Sequence, residues 1–186
     1  AKLGPVRHME SEAGNHGPFR KATPILWDWG AHDISMCLDL MGDTPSEISA
    51  RRQELRKTGE GSGAVFDLRL GFGDGDTDVV TAGIRIGNML PRKRRRFCAA
   101  FDDGILVYDD LAADKLSFVP ISAPPEAEIR AISVAPAPPL TCAIQAFADA
   151  IAADSVCHDS LRMGVDVVET LARCEAALEG HGGTEK

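Results

Sequence analysis

What the 186-residue chain lacks narrows its reading first. No uninterrupted apolar run comes near the roughly 18 residues that a membrane span requires. There is no surplus of positive charge either. The formal net charge is −8, which argues against nucleic acid as the main partner and against an anionic membrane surface. No CxxC pair occurs. Five cysteines (Cys37, Cys98, Cys142, Cys157 and Cys174) are an odd number and make neither a disulfide framework nor a zinc site. Reduced thiols in a cytoplasmic protein are the natural reading. AKLGPVRH is neither a signal peptide nor a natural start, since it has no initiator Met. No metal ligand set is found, because His8, His16, His158 and His181 show no ligand spacing with one another. A glycine loop that cradles phosphates is also missing. GEGSGA (59–64) follows RRQELRKT rather than an apolar strand and leads into a period-two pattern, so it reads as a loop or hairpin. DGDTD (74–78) starts like a calcium loop, but its sixth position is Val79 and its twelfth Arg85. A hairpin turn is expected there.

What is present is enough for one domain: 44% of the residues are hydrophobic. The domain is expected over 1–180, with 181–186 as a disordered tail. GPVRHMESEA alternates as a strand, and NHGPFRKATP, with three breakers, reads as a loop. From Pro45 to Pro120 the period is two. Ala64, Phe66, Leu68, Leu70 and Phe72 share one face, and Val80, Ala82, Ile84 and Ile86 do the same. So do Arg95, Phe97, Ala99 and Phe101, which makes PRKRRR (91–96) the polar face and mouth of a strand rather than a nucleic-acid patch. ILVYDD and KLSFVPI supply further strands. APAPP (135–139) is a stiff break. Two helical patterns follow, one striped by Leu140, Ile144, Phe147 and Ile151, the other by Leu161, Val165, Val168, Leu171 and Ala172. The fold class is therefore α+β: an open antiparallel sheet with helices packed on one face.

The segment ILWDWGAHDISMCLDLMG (25–42) carries the chemistry. Pro24 before it and Gly42 after it bound a helix. Its polar residues Asp28, His32, Ser35 and Asp39 step by four, three and four and fall along one stripe. A carboxylate and an imidazole one turn apart can hydrogen-bond, which orients the ring. A polar stripe is usually just the wet face of its helix. Wet faces, however, carry Lys, Glu and Arg, and residues 25–41 contain none of them. Asp28 also sits in the first turn, where the helix dipole favours a carboxylate.

TPILWDWGAHDISMCLDLMG resembles the helix that opens the C-terminal domain of the glucose-fructose oxidoreductase/inositol dehydrogenase/rhizopine-catabolism (Gfo/Idh/MocA) family, with Asp28, Gly30 and His32 standing in its D-x-G-x-H context. The meander resembles that family's open sheet, and PLTCAIQAFADAIAADSVCHDSLRMGVDVVETLARCEAAL its closing helices. Two departures stand out. ATPILW replaces the glycine pair that often precedes the Asp. Ser35 occupies a position that is often acidic, and an acid sits instead at Asp33. The resemblance implies His32 as general base with Asp28 holding its ring, and Trp29, Asp33 and Ser35 as substrate contacts. It implies a sugar, inositol or related polyol as substrate and NAD or NADP as cofactor. The family binds that cofactor on an N-terminal Rossmann domain, which also supplies a catalytic Lys from a Glu-Lys-Pro motif. Neither feature occurs in these residues, so the resemblance covers only the substrate-binding and oligomerisation domain. No cofactor is expected on this chain alone. The expected partners are the substrate, the missing Rossmann domain, and a second copy docked through the open sheet face. That face mixes Thr81, Gly83, Arg85, Cys98 and Ala100. The alternative is a non-catalytic binding or oligomerisation module that kept only this fold.

Overall fold

The computed structural model describes residues 3–59, 61–73, 79–121, 129–134, 137–155 and 158–180. In chain order the elements are β1 (Val6–His16), α1 (Ile25–Met41), β2 (Glu47–Thr58), β3 (Gly61–Phe72), β4 (Val80–Gly87) and β5 (Met89–Phe101). They continue with β6 (Gly104–Asp109), β7 (Leu116–Pro120), β8 (Arg130–Ile132), α2 (Pro139–Ala152) and α3 (His158–Gly180). GEGSGA falls at the β2–β3 hairpin, where Thr58 pairs with Gly61. DGDTD, Cys157, His181 and the tail expected over 181–186 lie outside the described residues.

The strands form one sheet in the order β2-β3-β4-β1-β5-β6-β7-β8. It is antiparallel except where β1 runs parallel to β4, with Met9 opposite Ala82 and Ala13 opposite Ile86. Parallel neighbours need a long crossover, and here α1 and the β2–β3 hairpin form it. The alternation read from the sequence matches the burial. Ala64, Phe66, Leu68, Leu70, Phe72, Ala82, Ile84 and Ile86 are each at most 5% exposed, on the face that receives the helices.

Proline fixes a backbone angle suited to a helix start and lacks the amide that would go unpaired there. Accordingly the Pro24 carbonyl accepts from the amides of Trp27 and Asp28, at 3.1 and 3.0 Å. Gly42 ends α1 in the left-handed region at φ 67°, and its amide donates to Leu38 O at 2.8 Å. Leu26, Gly30, Asp33, Ile34, Cys37 and Leu38 are buried, and α1 lies over β3, β4 and β1 while α3 lies over β2 and against α1. Gly30 makes the approach of α1 to α3 possible. A Cβ at that position would sit 3.1 Å from Leu171 Cδ2 and 3.3 Å from Ile86 Cδ1. The glycine of the D-x-G-x-H pattern is therefore a packing residue in this chain.

Two helical stretches depart from the expectation that the helices pack on the sheet. The α2 stripe of Leu140, Ile144, Phe147 and Ile151 is 60–71% exposed, and α2 buries no residue. Leu161, Val165 and Val168 in the first half of α3 are also exposed, and α3 enters the core through Val167, Leu171 and Cys174, with Met163, Ala177 and Leu178 packed against it. The amphipathic pattern forms the helices, but in α2 its apolar side is left exposed among the described residues. No helix among the described residues is long and apolar enough to cross a membrane.

Candidate functional site

At 100° per residue, the buried positions of α1 and its polar stripe fall on opposite sides of the helix. Asp28, His32 and Asp39 are exposed accordingly, and Ser35 is half-buried. Ser35 Oγ donates to the His32 carbonyl at 2.7 Å, a local back-bond that holds the serine against its own helix. Among the described residues no hydrogen bond or ion pair joins Asp28 to His32. The structure thus brings the four residues onto one surface stripe without making a bonded pair of the first two.

Asp33, one position beyond His32, turns the other way. It is 3% exposed and accepts a hydrogen bond from Ser11 Oγ of β1. Burial pushes its carboxyl above the ordinary value of 3.8, against the opposing pull of Ser11, His32 and Arg95. One turn on, burial together with the Asp33 charge pushes the Cys37 thiol up to about 12, so it is an inert core thiol. Burial likewise raises Cys174, to about 11.

Trp29 flanks His32 one turn earlier on the side facing β5. The Arg95 guanidinium lies over the Trp29 ring, 5.7 Å from its centroid. Strand alternation separates the arginines of PRKRRR, as the period-two pattern led one to expect. Arg95, two residues from buried Phe97, points to the helix side of the sheet. Arg94 and Arg96 point to the other side, where Arg94 pairs with Glu12 at 3.3 Å. Tyr108 is opposite Phe97, Leu116 opposite Tyr108, and Phe118 opposite both Leu106 and Arg130. Cross-strand partners share a face, so Leu106, Tyr108, Leu116, Phe118 and Arg130 line the same side as Arg95. Next to Tyr108, Asp110 receives Lys115 Nζ at 2.7 Å and the Tyr108 hydroxyl at 3.2 Å. The lysine holds the Asp110 carboxyl below its usual range. This part of the sheet is a shelf beside α1, floored by half-buried apolar and aromatic side chains.

Two contributors escaped the sequence reading. Arg95 was placed by alternation on the face of Phe97 but given no part in a site. Asn88 gave no chemical pattern at all. It is 2% exposed; its Oδ1 accepts from the Ala64 amide at 3.0 Å, and its Nδ2 donates to Pro18 O and Ser62 O, each at 3.2 Å. It thereby ties the segment that leads into α1 to the β2–β3 hairpin, and so helps fix where the stripe is presented.

Solved structures share this fold. An oxidoreductase, provisionally so named, from Magnetospirillum magnetotacticum is 37% identical over 92% of the chain, with a TM-score of 0.76. The chain has the fold of a Gfo/Idh/MocA-type C-terminal domain. The UDP-N-acetylglucosamine 3-dehydrogenase of Acidithiobacillus ferrooxidans is 19% identical over 96% of the chain with a TM-score of 0.75. The Synechocystis biliverdin reductase, solved with biliverdin and NADP+, is 17% identical over 96% with a TM-score of 0.73. These last two share the fold. The chain spans 55%, 55% and 56% of the three proteins, respectively. No family model matches it, and no curated protein sequence does. In this Gfo/Idh/MocA-type domain the stripe and the shelf lie on neighbouring surfaces, the first on the crest of α1 and the second at its foot.

Proposed function

We propose that the chain is the substrate-binding domain of an NAD(P)-dependent oxidoreductase that takes hydride from a sugar, inositol or related polyol. The observation that carries this reading is the D-x-G-x-H stripe, presented to solvent on a helix of the Gfo/Idh/MocA-type fold. A side chain that exchanges a proton with a bound hydroxyl has to be reachable, and His32 is. In this reading His32 accepts the proton of the hydroxyl being oxidised while hydride leaves for the nicotinamide. Asp28, one turn earlier, orients the ring once substrate draws the two together, since catalytic hydrogen bonds are often loose before substrate arrives. Trp29 and Ser35 flank the bound polyol. Asp33 contributes from beneath, as the buried carboxylate that helps anchor α1 to β1.

The nicotinamide would be held by a Rossmann domain outside these residues. The relative solved with NADP+ supports that expectation, and the exposed apolar faces of α2 and α3 are the kind of surface that another domain covers. A cytoplasmic location and pairing of two copies through the outer sheet face belong to the same reading.

The test is steady-state turnover of polyols by the native gene product with NAD+ or NADP+. His32→Ala is expected to lower kcat about 10²- to 10⁴-fold with little change in substrate affinity. Near-normal turnover in that variant would remove His32 from the chemistry and favour the assembly-module alternative.

A further inference from the structure

Arg95 is half-buried on the helix-side face of β5. Its guanidinium has five N–H donors, yet no hydrogen bond or ion pair engages it among the described residues; it lies over the face of Trp29. An arginine in such a place normally finds a carboxylate. The two carboxylates nearest to it in charge are both otherwise committed. Asp33 is hydrogen-bonded by Ser11 and held toward its neutral form by burial, and Asp110 is paired with Lys115. Arg95 therefore feels the charge of Asp33 and of Asp110 but is bonded to neither, which leaves its N–H donors open to a ligand. On the same face, across the floor formed by Tyr108, Leu116 and Phe118, Arg130 is exposed and likewise without a described partner. The chain as a whole is acidic, so two arginines without a bonded carboxylate among the described residues, on one apolar and aromatic shelf, are a local exception to its charge.

We propose that this shelf binds the anionic end of a polyol or sugar ligand, a carboxylate or a phosphate, with Arg95 as its fork and Trp29 as the wall. The planar guanidinium presents parallel N–H donors to two oxygens of either group. The Trp29 ring holds that plane in place and takes the apolar side of a sugar ring. Tyr108 and Phe118 supply the floor, and Arg130 adds long-range attraction across it. The position suits the proposed reaction. Trp29 and His32 are one turn apart on α1, so an anion gripped by Arg95 leaves the rest of the molecule lying toward His32. As an assignment of substrate class this rests on the reading of His32 above, but as a binding site it stands on the shelf alone.

The experiment uses the 186-residue chain with Trp27→Phe, which leaves Trp29 as the reporting indole. D-glucuronate, glucose 6-phosphate and glucose are titrated at matched ionic strength while tryptophan fluorescence is followed. A saturable response to one or both anions and none to glucose is the expected result. A response to glucuronate alone identifies a carboxylate as the ligand group, and a response to glucose 6-phosphate alone a phosphate. Arg95→Gln should weaken binding about tenfold or more, as for loss of a charge-assisted fork, and Arg130→Gln by less. Circular dichroism of each variant confirms that the fold is kept. Equal responses to glucose and the anions, no response to any of them, or an Arg95→Gln protein that binds normally would each overturn the site. Turnover separates the two proposals. Arg95-dependent binding without nicotinamide-linked turnover of the native gene product would keep the site and reject the dehydrogenase. Turnover untouched by Arg95→Gln would do the opposite.

Discussion

Asp33 shows what a single buried carboxyl does to a domain of this size. Its folded-state affinity for a proton is raised by desolvation above that of the unfolded chain. The fold is therefore favoured while the group is protonated. As pH rises from its ordinary value of 3.8 through the higher folded value, the unfolded chain gives up its proton first and stability declines to a plateau. Asp33→Asn keeps an acceptor for Ser11 and removes the ionisation. The variant should lose this decline, so in urea unfolding its advantage over the parent should grow as pH rises above 3.8 and then level off. A parallel pair of stability curves would contradict the account. Asn88 makes the opposite case, because all its bonds are neutral and satisfied. Asn88→Ala strands the Ala64 amide and two carbonyls in a buried place, and should cost about 2–3 kcal/mol in the same measurement.

At the level of elements, the sequence was most legible where periodicity and burial coincide. Phe66, Leu68 and Leu70 alternate with Asp67 and Arg69 because β3 has one face on the core, and the 3.6-residue stripe of α1, bounded by Pro24 and Gly42, is equally plain. The partner of an element was not legible. Leu140, Ile144, Phe147 and Ile151 mark α2 as amphipathic, but a stripe gives no address, and in this chain its apolar side is exposed. β8 has three residues, too few for a period to show. Asp28 and His32 were readable as neighbours on one stripe; whether they bond depends on rotamers that spacing does not set. The exposed stripe leads to a direct contrast. Phe147→Ser should shift the unfolding free energy of this chain by no more than about 0.5 kcal/mol, whereas Leu171→Ala should cost about 2–5 kcal/mol. A large loss for the Phe147 variant would mean that α2 packs within the chain after all.

For the whole molecule, the outer face of the sheet is where two copies would meet. It carries opposite charges side by side. Arg85 pairs with Asp67 at 2.7 Å and Arg94 with Glu12 at 3.3 Å, while Glu10, Arg96 and Cys98 line the shallow trough between them. A patch with both signs can complement itself across a two-fold axis, and Gly83 leaves space at its centre. Light scattering of the concentrated chain should show a self-associated species. Reversing Arg85 and Arg96 to Glu together should weaken it at least about tenfold, and added salt should act in the same direction. A clean monomer at every concentration would assign the face to solvent.

The place of β1 in the sheet has a consequence for how the chain comes into being. Of the strands in this sheet β1 is made earliest, but the strands that flank it begin at Val80 and Met89, so during synthesis it waits unpaired while most of the sheet is still unmade. Pairings this distant in sequence are slow to close, and a waiting strand with two open edges invites the wrong neighbour. Once home, β1 is the keystone. On one side stand β2, β3 and β4, on the other β5 to β8, and in the strand order only β1 joins them. A protease that removed the first sixteen residues would therefore leave two half-sheets with a seam where the centre of the molecule had been.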